Sequence, residues 1–135
     1  MKKPEEVCLV LRDMLRIPAV KEMVSYVEGE SVFLRVLIEN GKNSNPSAMS
    51  ELMGVTKGRI TAIINRLSAK GLVAVTQDKD DRRRMHVAVT PKGEQYVVDQ
   101  KKKMEENVEM LYDRLGKGKA QKMLDLIEYA VEQLA

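Results

Sequence analysis

The sequence holds one histidine and one cysteine in 135 residues. A metal centre needs several His, Cys or carboxylate ligands at defined spacing, so no metal is expected. No run approaches the roughly eighteen apolar residues of a membrane span, and the opening MKKPEEV lacks the apolar core of a signal peptide. The expectation is a cytoplasmic protein with no membrane contact. Internal repeats and low-complexity tracts are absent, and only 41–47 and 116–118 have the composition of loops. There is no glycine-rich phosphate cradle or nucleophile elbow. The acidic run Asp78, Asp80, Asp81 lacks the Gly and closing Glu of a calcium loop. No catalytic residue and no cofactor is therefore expected, and an enzyme is not the reading.

What the chain does hold is charge, unevenly placed. Hydrophobic content of 44% and charged content of 32% describe one soluble globular domain. From Gly54 to Lys92, nine Lys and Arg stand against three Asp, while the remainder carries fourteen cations and seventeen anions. The total of +3 hides a basic centre, and clustered positive charge is the electrostatic footprint of a polyanionic partner.

Inside that centre, Thr56 can cap a helix by accepting from a first-turn N–H. Ile60, Ile63, Ile64 and Leu67 recur as one face of an α-helix, and Gly71 stands where a left-handed C-terminal residue is expected. The opposite face carries Lys57, Arg59, Thr61, Asn65 and Arg66. Such a helix, richest in donors near its start, suits a DNA major groove, and Gly58 would let the backbone approach a phosphate. A surface helix with merely solvated charges is the competing reading. Just upstream, Asn45, Pro46 and Ser47 offer a helix start for AMSELM, with Met49, Leu52 and Met53 as its apolar side. Gly54 and Val55 turn that helix into Thr56, a helix-turn-helix arrangement.

Leu72–Gln77 and Arg84–Thr90 are rich in β-branched residues, and Val73 and Val75 pair with Met85, Val87 and Val89 under a period of two. The charged segment Asp78–Arg83 makes the hairpin tip. Arg82, Arg83 and Arg84 would repel one another on a bare loop and match phosphate or a narrow minor groove. Asp81, two residues from Arg83, is read as the ion-pair partner that structures this wing. His86 alternates with Met85 and Val87, pointing outward beside the arginines.

In the first segment, Val7, Val10, Leu11, Met14 and Leu15 form a helical stripe that Pro18 interrupts, and Val20, Met23, Val24 and Val27 resume it. The segment is one kinked helix or two. Ser31 is expected to cap VFLRVLIEN, an all-round apolar helix for the middle of the core, which ends at Asn40-Gly41. Asn43 to Asn45 is a very short strand against the wing. Thr90-Pro91 starts a long helix reaching Gly116, and a last helix carries Ala120, Met123, Leu124, Ile127, Ala130, Val131 and Leu134. Long amphipathic end helices need their apolar stripes covered, most simply by self-association. Cys8, among apolar residues and next to Glu5 and Glu6, reads as a plain buried thiol. The nine methionines read as core fillers, several of them suited to an adaptable ligand pocket.

The run MSELMGVTKGRITAIINRLSAKGLV, followed by DKDDRRR and VAVTPKG, resembles the MarR-type winged helix-turn-helix transcription regulators. Asp-x-Arg at Asp81 and Arg83, with T-x-x-G from Thr90 to Gly93, is the more specific part. Where the family has an arginine shortly after G-L-V, this chain has Ala74 and Val75. The resemblance implies a mainly α fold with a small β-hairpin wing (α+β). It places a winged helix-turn-helix at 31–90 between dimerisation helices at 1–30 and 91–135, in one domain spanning 1–135. It also implies a homodimer, a palindromic double-stranded DNA operator, and a pocket for a small aromatic or phenolic effector. Some members sense oxidants through one cysteine in the first helix, where Cys8 lies. The resulting expectation is a repressor that meets DNA through Ser47, Thr56, Lys57, Gly58, Arg59, Thr61, Asn65, Arg66, Arg82, Arg83 and Arg84. The alternatives are a winged helix that docks protein and an architectural DNA-binding protein without sequence preference.

Overall fold

A computed structural model describes residues 1–135. In chain order the elements are α1 (Pro4–Arg16), α2 (Pro18–Tyr26), α3 (Gly29–Glu39), β1 (Asn43–Ser44), α4 (Pro46–Met53), α5 (Lys57–Ala69), β2 (Val73–Gln77), β3 (Met85–Val89), α6 (Pro91–Leu115) and α7 (Lys117–Leu134). They fold into two compact units, residues 1–101 and 102–135. The mainly helical fold with a small antiparallel wing is the one the residue pattern implies.

Pro18 makes two helices of the first segment. Ile17 before it is extended (φ −65°, ψ 122°), as the ring of a following proline demands, and Pro18 then opens α2 at its first position. The start of α3 differs from expectation. Glu28 rather than Ser31 is the N-cap residue, and Ser31 lies buried in the first turn. Gly29 takes φ +50°, a left-handed turn open to glycine, which lets the helix begin three residues early.

At the centre of the first unit, α3 buries Phe33, Leu34 and Leu37 against Met49, Ile60, Ile63, Ile64, Leu67, Leu72, Val73 and Val87. The four-residue stripe of α5 is therefore fully inward, at 2% exposure or less. In α4, by contrast, Met49 and Met53 face the core while Leu52, expected with them, is 52% exposed.

The sheet runs β1-β3-β2, antiparallel throughout, with Val73 opposite Val89, Val75 opposite Val87 and Gln77 opposite Met85. Strand β1 stops at Ser44, one residue earlier than the sequence suggests. Asn45 leaves the sheet to cap α4, its Oδ1 accepting from the Ala48 N–H at 2.9 Å.

The T-x-x-G motif ties α5, the wing and α6 together. The Thr90 N–H donates to the Leu72 carbonyl (3.1 Å), its hydroxyl donates to the Gly71 carbonyl (2.7 Å), and the same oxygen accepts from the Gly93 N–H (3.1 Å). Lys92 Nζ adds a bond to the Lys70 carbonyl at 2.9 Å. A Cβ on Gly93 would collide with the Leu72 carbonyl oxygen and stand 2.8 Å from Val89 Cγ2.

Both units carry bare apolar surface. Helix α1 buries no residue and exposes Val7, Leu9, Val10, Leu11, Met14 and Leu15. Cys8 is accordingly exposed, not the buried thiol expected, because α1 buries none of its residues. In the second unit, α6 passes through Gly116 (φ +78°) into α7, where Ala120 is buried while Leu126, Ile127, Tyr129, Val131 and Leu134 are exposed. No helix is long and apolar enough to cross a membrane.

Two glycines separate packing from other constraints. Gly93→Ala should lower unfolding free energy by about 1–3 kcal/mol in urea titrations, the usual cost of overpacking. Gly58, whose Cβ would meet nothing within 4 Å, should accept alanine with unchanged or raised stability, by up to about 1 kcal/mol. Equal losses at the two positions would contradict the junction described at Thr90.

Candidate nucleic-acid interface

At about 100° per residue, the buried stripe of α5 sets where its other residues stand. Gly58, Ala62 and Asn65 lie farthest from the core. Lys57 and Thr61 form the flank toward the wing, and Arg59, Arg66 and Lys70 form the other. Thr56 Oγ1 accepts from the Arg59 N–H at 3.2 Å, satisfying an otherwise orphan donor of the first turn. Thr61 donates to the Lys57 carbonyl at 3.0 Å and keeps its oxygen lone pairs available.

A groove of about 480 Å³ opens between the start of α4, the wing-side flank of α5 and the wing. Asn45, Pro46, Ser47, Lys57, Thr61, Arg83, Arg84, Met85 and His86 line it. Of the residues expected to meet DNA, Ser47, Lys57, Thr61, Arg83 and Arg84 are thus brought together. Thr56, Gly58, Arg59, Asn65 and Arg82 are exposed outside the groove lining.

The wing tip is organised around Asp81. Its Oδ1 accepts from the Arg83 N–H (3.0 Å) and Arg83 Nε (3.3 Å), its other oxygen stands 4.0 Å from Arg84 Nε, and its carbonyl accepts from the Arg84 N–H (2.9 Å). The Arg83 side chain nevertheless stays 91% exposed. At the base of the tip, His86 Nε2 lies 3.4 Å from Asp78 Oδ2. The backbone N–H of Asp80 holds the Asp78 carboxyl below its ordinary range, helped by His86.

Arg66 goes elsewhere. Its Nε donates to Glu30 Oε1 at 2.8 Å, and Lys70 Nζ donates to Glu30 Oε2 at 2.7 Å. Burial raises the Glu30 pKa, but hydrogen bonds and charge from Lys70 and Arg66 outweigh it, leaving the carboxyl below its ordinary value. No local pattern could have revealed this clamp, since its members lie 36 and 40 residues apart. The same three side chains border a cavity of about 440 Å³ with Lys21, Ser25 and Tyr96. No group of three or more His, Cys, Asp or Glu side chains is placed to hold a metal.

Residues 30–84, from the clamp through the wing tip, match the MarR family. The solved structure of transcriptional regulator Tm0710 from Thermotoga maritima is 26% identical, with 96% of this chain and 92% of that one aligned at a TM-score of 0.54. The chain has the fold of a MarR-type winged-helix transcription regulator. A MarR transcriptional regulator from Methanosarcina mazei Go1 shares the fold at 24% identity, over 96% of this chain and 94% of that one (TM-score 0.55). So does BpsR of Bordetella bronchiseptica, whose DNA binding is regulated by 6-hydroxynicotinic acid, at 20% identity over 93% and 98% (TM-score 0.57). No curated protein matches the sequence. Where the resemblance leads one to expect an arginine after G-L-V, the chain has Ala74 and Val75, both exposed on β2.

The clamp has a pH signature. A carboxyl with a lowered folded pKa contributes stability above its unfolded pKa and loses that contribution as pH falls through the folded value. Wild type should therefore exceed Glu30→Gln in thermal stability near neutrality, with the gap closing at and below the ordinary glutamate value of about 4.3. A gap that persists unchanged in acid would show that Glu30 acts through packing and not charge.

Proposed function

We propose that the protein is a homodimeric, sequence-specific regulator that binds a palindromic double-stranded DNA operator, occludes a promoter, and releases it on binding a small effector. The observation that carries this reading is the groove in which Lys57, Thr61, Ser47, Arg83 and Arg84 converge. Its helix side offers donors for base edges and its wing side offers guanidinium groups for phosphate or a minor groove. In this reading Asn65, Gly58 and Arg59 meet the major groove beside that flank, Thr56 positions the first turn, and Arg82 follows the wing. No step of catalysis is involved, and the protein acts in the cytoplasm.

Dimerisation is supported by the bare apolar residues on α1 and α7, which a second copy would cover. The domain organisation follows: 31–90 reads DNA, while 1–30 and 91–135 pair the protomers. The effector reading is supported by the cavity beside α2, where Leu15, Val24 and Tyr96 offer apolar and aromatic surface and Lys21 a cation for a small aromatic or phenolic acid. BpsR, which shares the fold, answers to such an acid.

Replacing Arg83 by Ala should weaken binding to the preferred duplex by about 1–3 kcal/mol while leaving unfolding unchanged. Sedimentation should give twice the chain mass, and Leu11→Glu together with Ile127→Glu should shift it toward the single-chain mass. An Arg83→Ala protein of full affinity would remove the wing from the interface. A monomeric wild type that still prefers a palindrome would remove the dimer.

A further inference from the structure

Helix α5 carries cations on both flanks, and on one flank two of them are engaged by a carboxylate. On the flank away from the wing, Arg59, Arg66 and Lys70 fall along one line of the helix at spacings of seven and four. Arg66 and Lys70 both end on the two oxygens of Glu30, at 2.8 and 2.7 Å. The Glu30 side chain is 21% exposed, against 58% for Arg66 and 53% for Lys70. The carboxylate is thus the anchored member, and the two cations fold back onto it. Arg59 stands about two turns nearer the helix start.

We propose that Glu30 is a positioning residue for DNA recognition: by engaging Arg66 and Lys70 it withholds two cations from the phosphate backbone and aligns α5 on α3, so that discrimination rests on the wing-side groove. The proposal builds on the DNA-binding reading above and departs from the expectation that Arg66 contacts the DNA backbone. Its physical basis is that phosphate contacts carry affinity without sequence information. Two free cations at the C-terminal end of α5 would strengthen attachment to every duplex alike and lower the preference for one. A carboxylate that occupies both, at the edge of the interface, removes that indiscriminate attraction at little cost in stability, since exposed pairs contribute little to folding.

The test is the salt dependence of binding to a mixed-sequence duplex three helical turns long, measured for wild type, Glu30→Gln, Arg66→Gln and the double variant. Each phosphate contact contributes about 0.9 to the slope of log affinity against log salt. Glu30→Gln should steepen the slope by about 1–2, so that raising salt from about 50 to 200 mM costs roughly tenfold more affinity than in wild type. Arg66→Gln should leave the wild-type slope unchanged and reduce that of Glu30→Gln by about 0.9. A purely structural role for Glu30 would lower affinity or melting temperature without moving the slope, and that result overturns the proposal. An equal effect of Arg66→Gln in both backgrounds also overturns it, because Arg66 would then meet phosphate despite Glu30. Salt-insensitive, weak binding by all four proteins would overturn the DNA-binding reading itself, and the proposal with it.

Discussion

The groove between α5 and the wing is held by the junction at Thr90. One hydroxyl and one backbone N–H close onto the carbonyls of Gly71 and Leu72, where α5 has just ended and β2 is about to begin. Gly93 lets α6 start against the Leu72 carbonyl, with no room for a side chain. The end of α5, the root of the wing and the first turn of the long helix are thereby joined through a few hydrogen bonds. The groove between α5 and the wing can keep a fixed shape because its two walls share this hinge point.

From that junction the division of labour on α5 follows. The inward stripe of Ile60, Ile63, Ile64 and Leu67 fixes the rotation of the helix on α3, and rotation decides which polar residues face what. One flank, with Lys57 and Thr61, meets Ser47 and the wing arginines across the groove. The other returns to α3 through Glu30, beside the cavity under α2. The cavity thus borders both the clamp and α5.

Helix α5 and the wing were legible in sequence because their determinants are local. Thr56, the isoleucine stripe and Gly71 mark one helix from cap to terminus, and the valines of 73–89 set the hairpin register by a period of two. Longer-range features were not. Periodicity says which face of a helix is apolar but not whether anything lies over it, so Leu52 and Cys8 read as buried and are exposed. The left-handed Gly29 moved the start of α3 off Ser31, and glycine composition alone does not reveal its φ. Glu30 carried no local signal at all, and its partners lie more than thirty residues away. Sequence reasoning reaches residues that cluster locally, such as Lys57, Thr61, Arg83 and Arg84, and not a clamp that the fold assembles from distant positions.

The most direct test of the account is selection of bound duplexes from a random pool by the wild-type protein, followed by affinity measurements on the winner and a scrambled control. The account predicts a palindromic winner with half-sites about one helical turn apart, bound about a thousandfold or more tighter than the control. Failure to enrich any sequence, with winner and control bound alike, would contradict it.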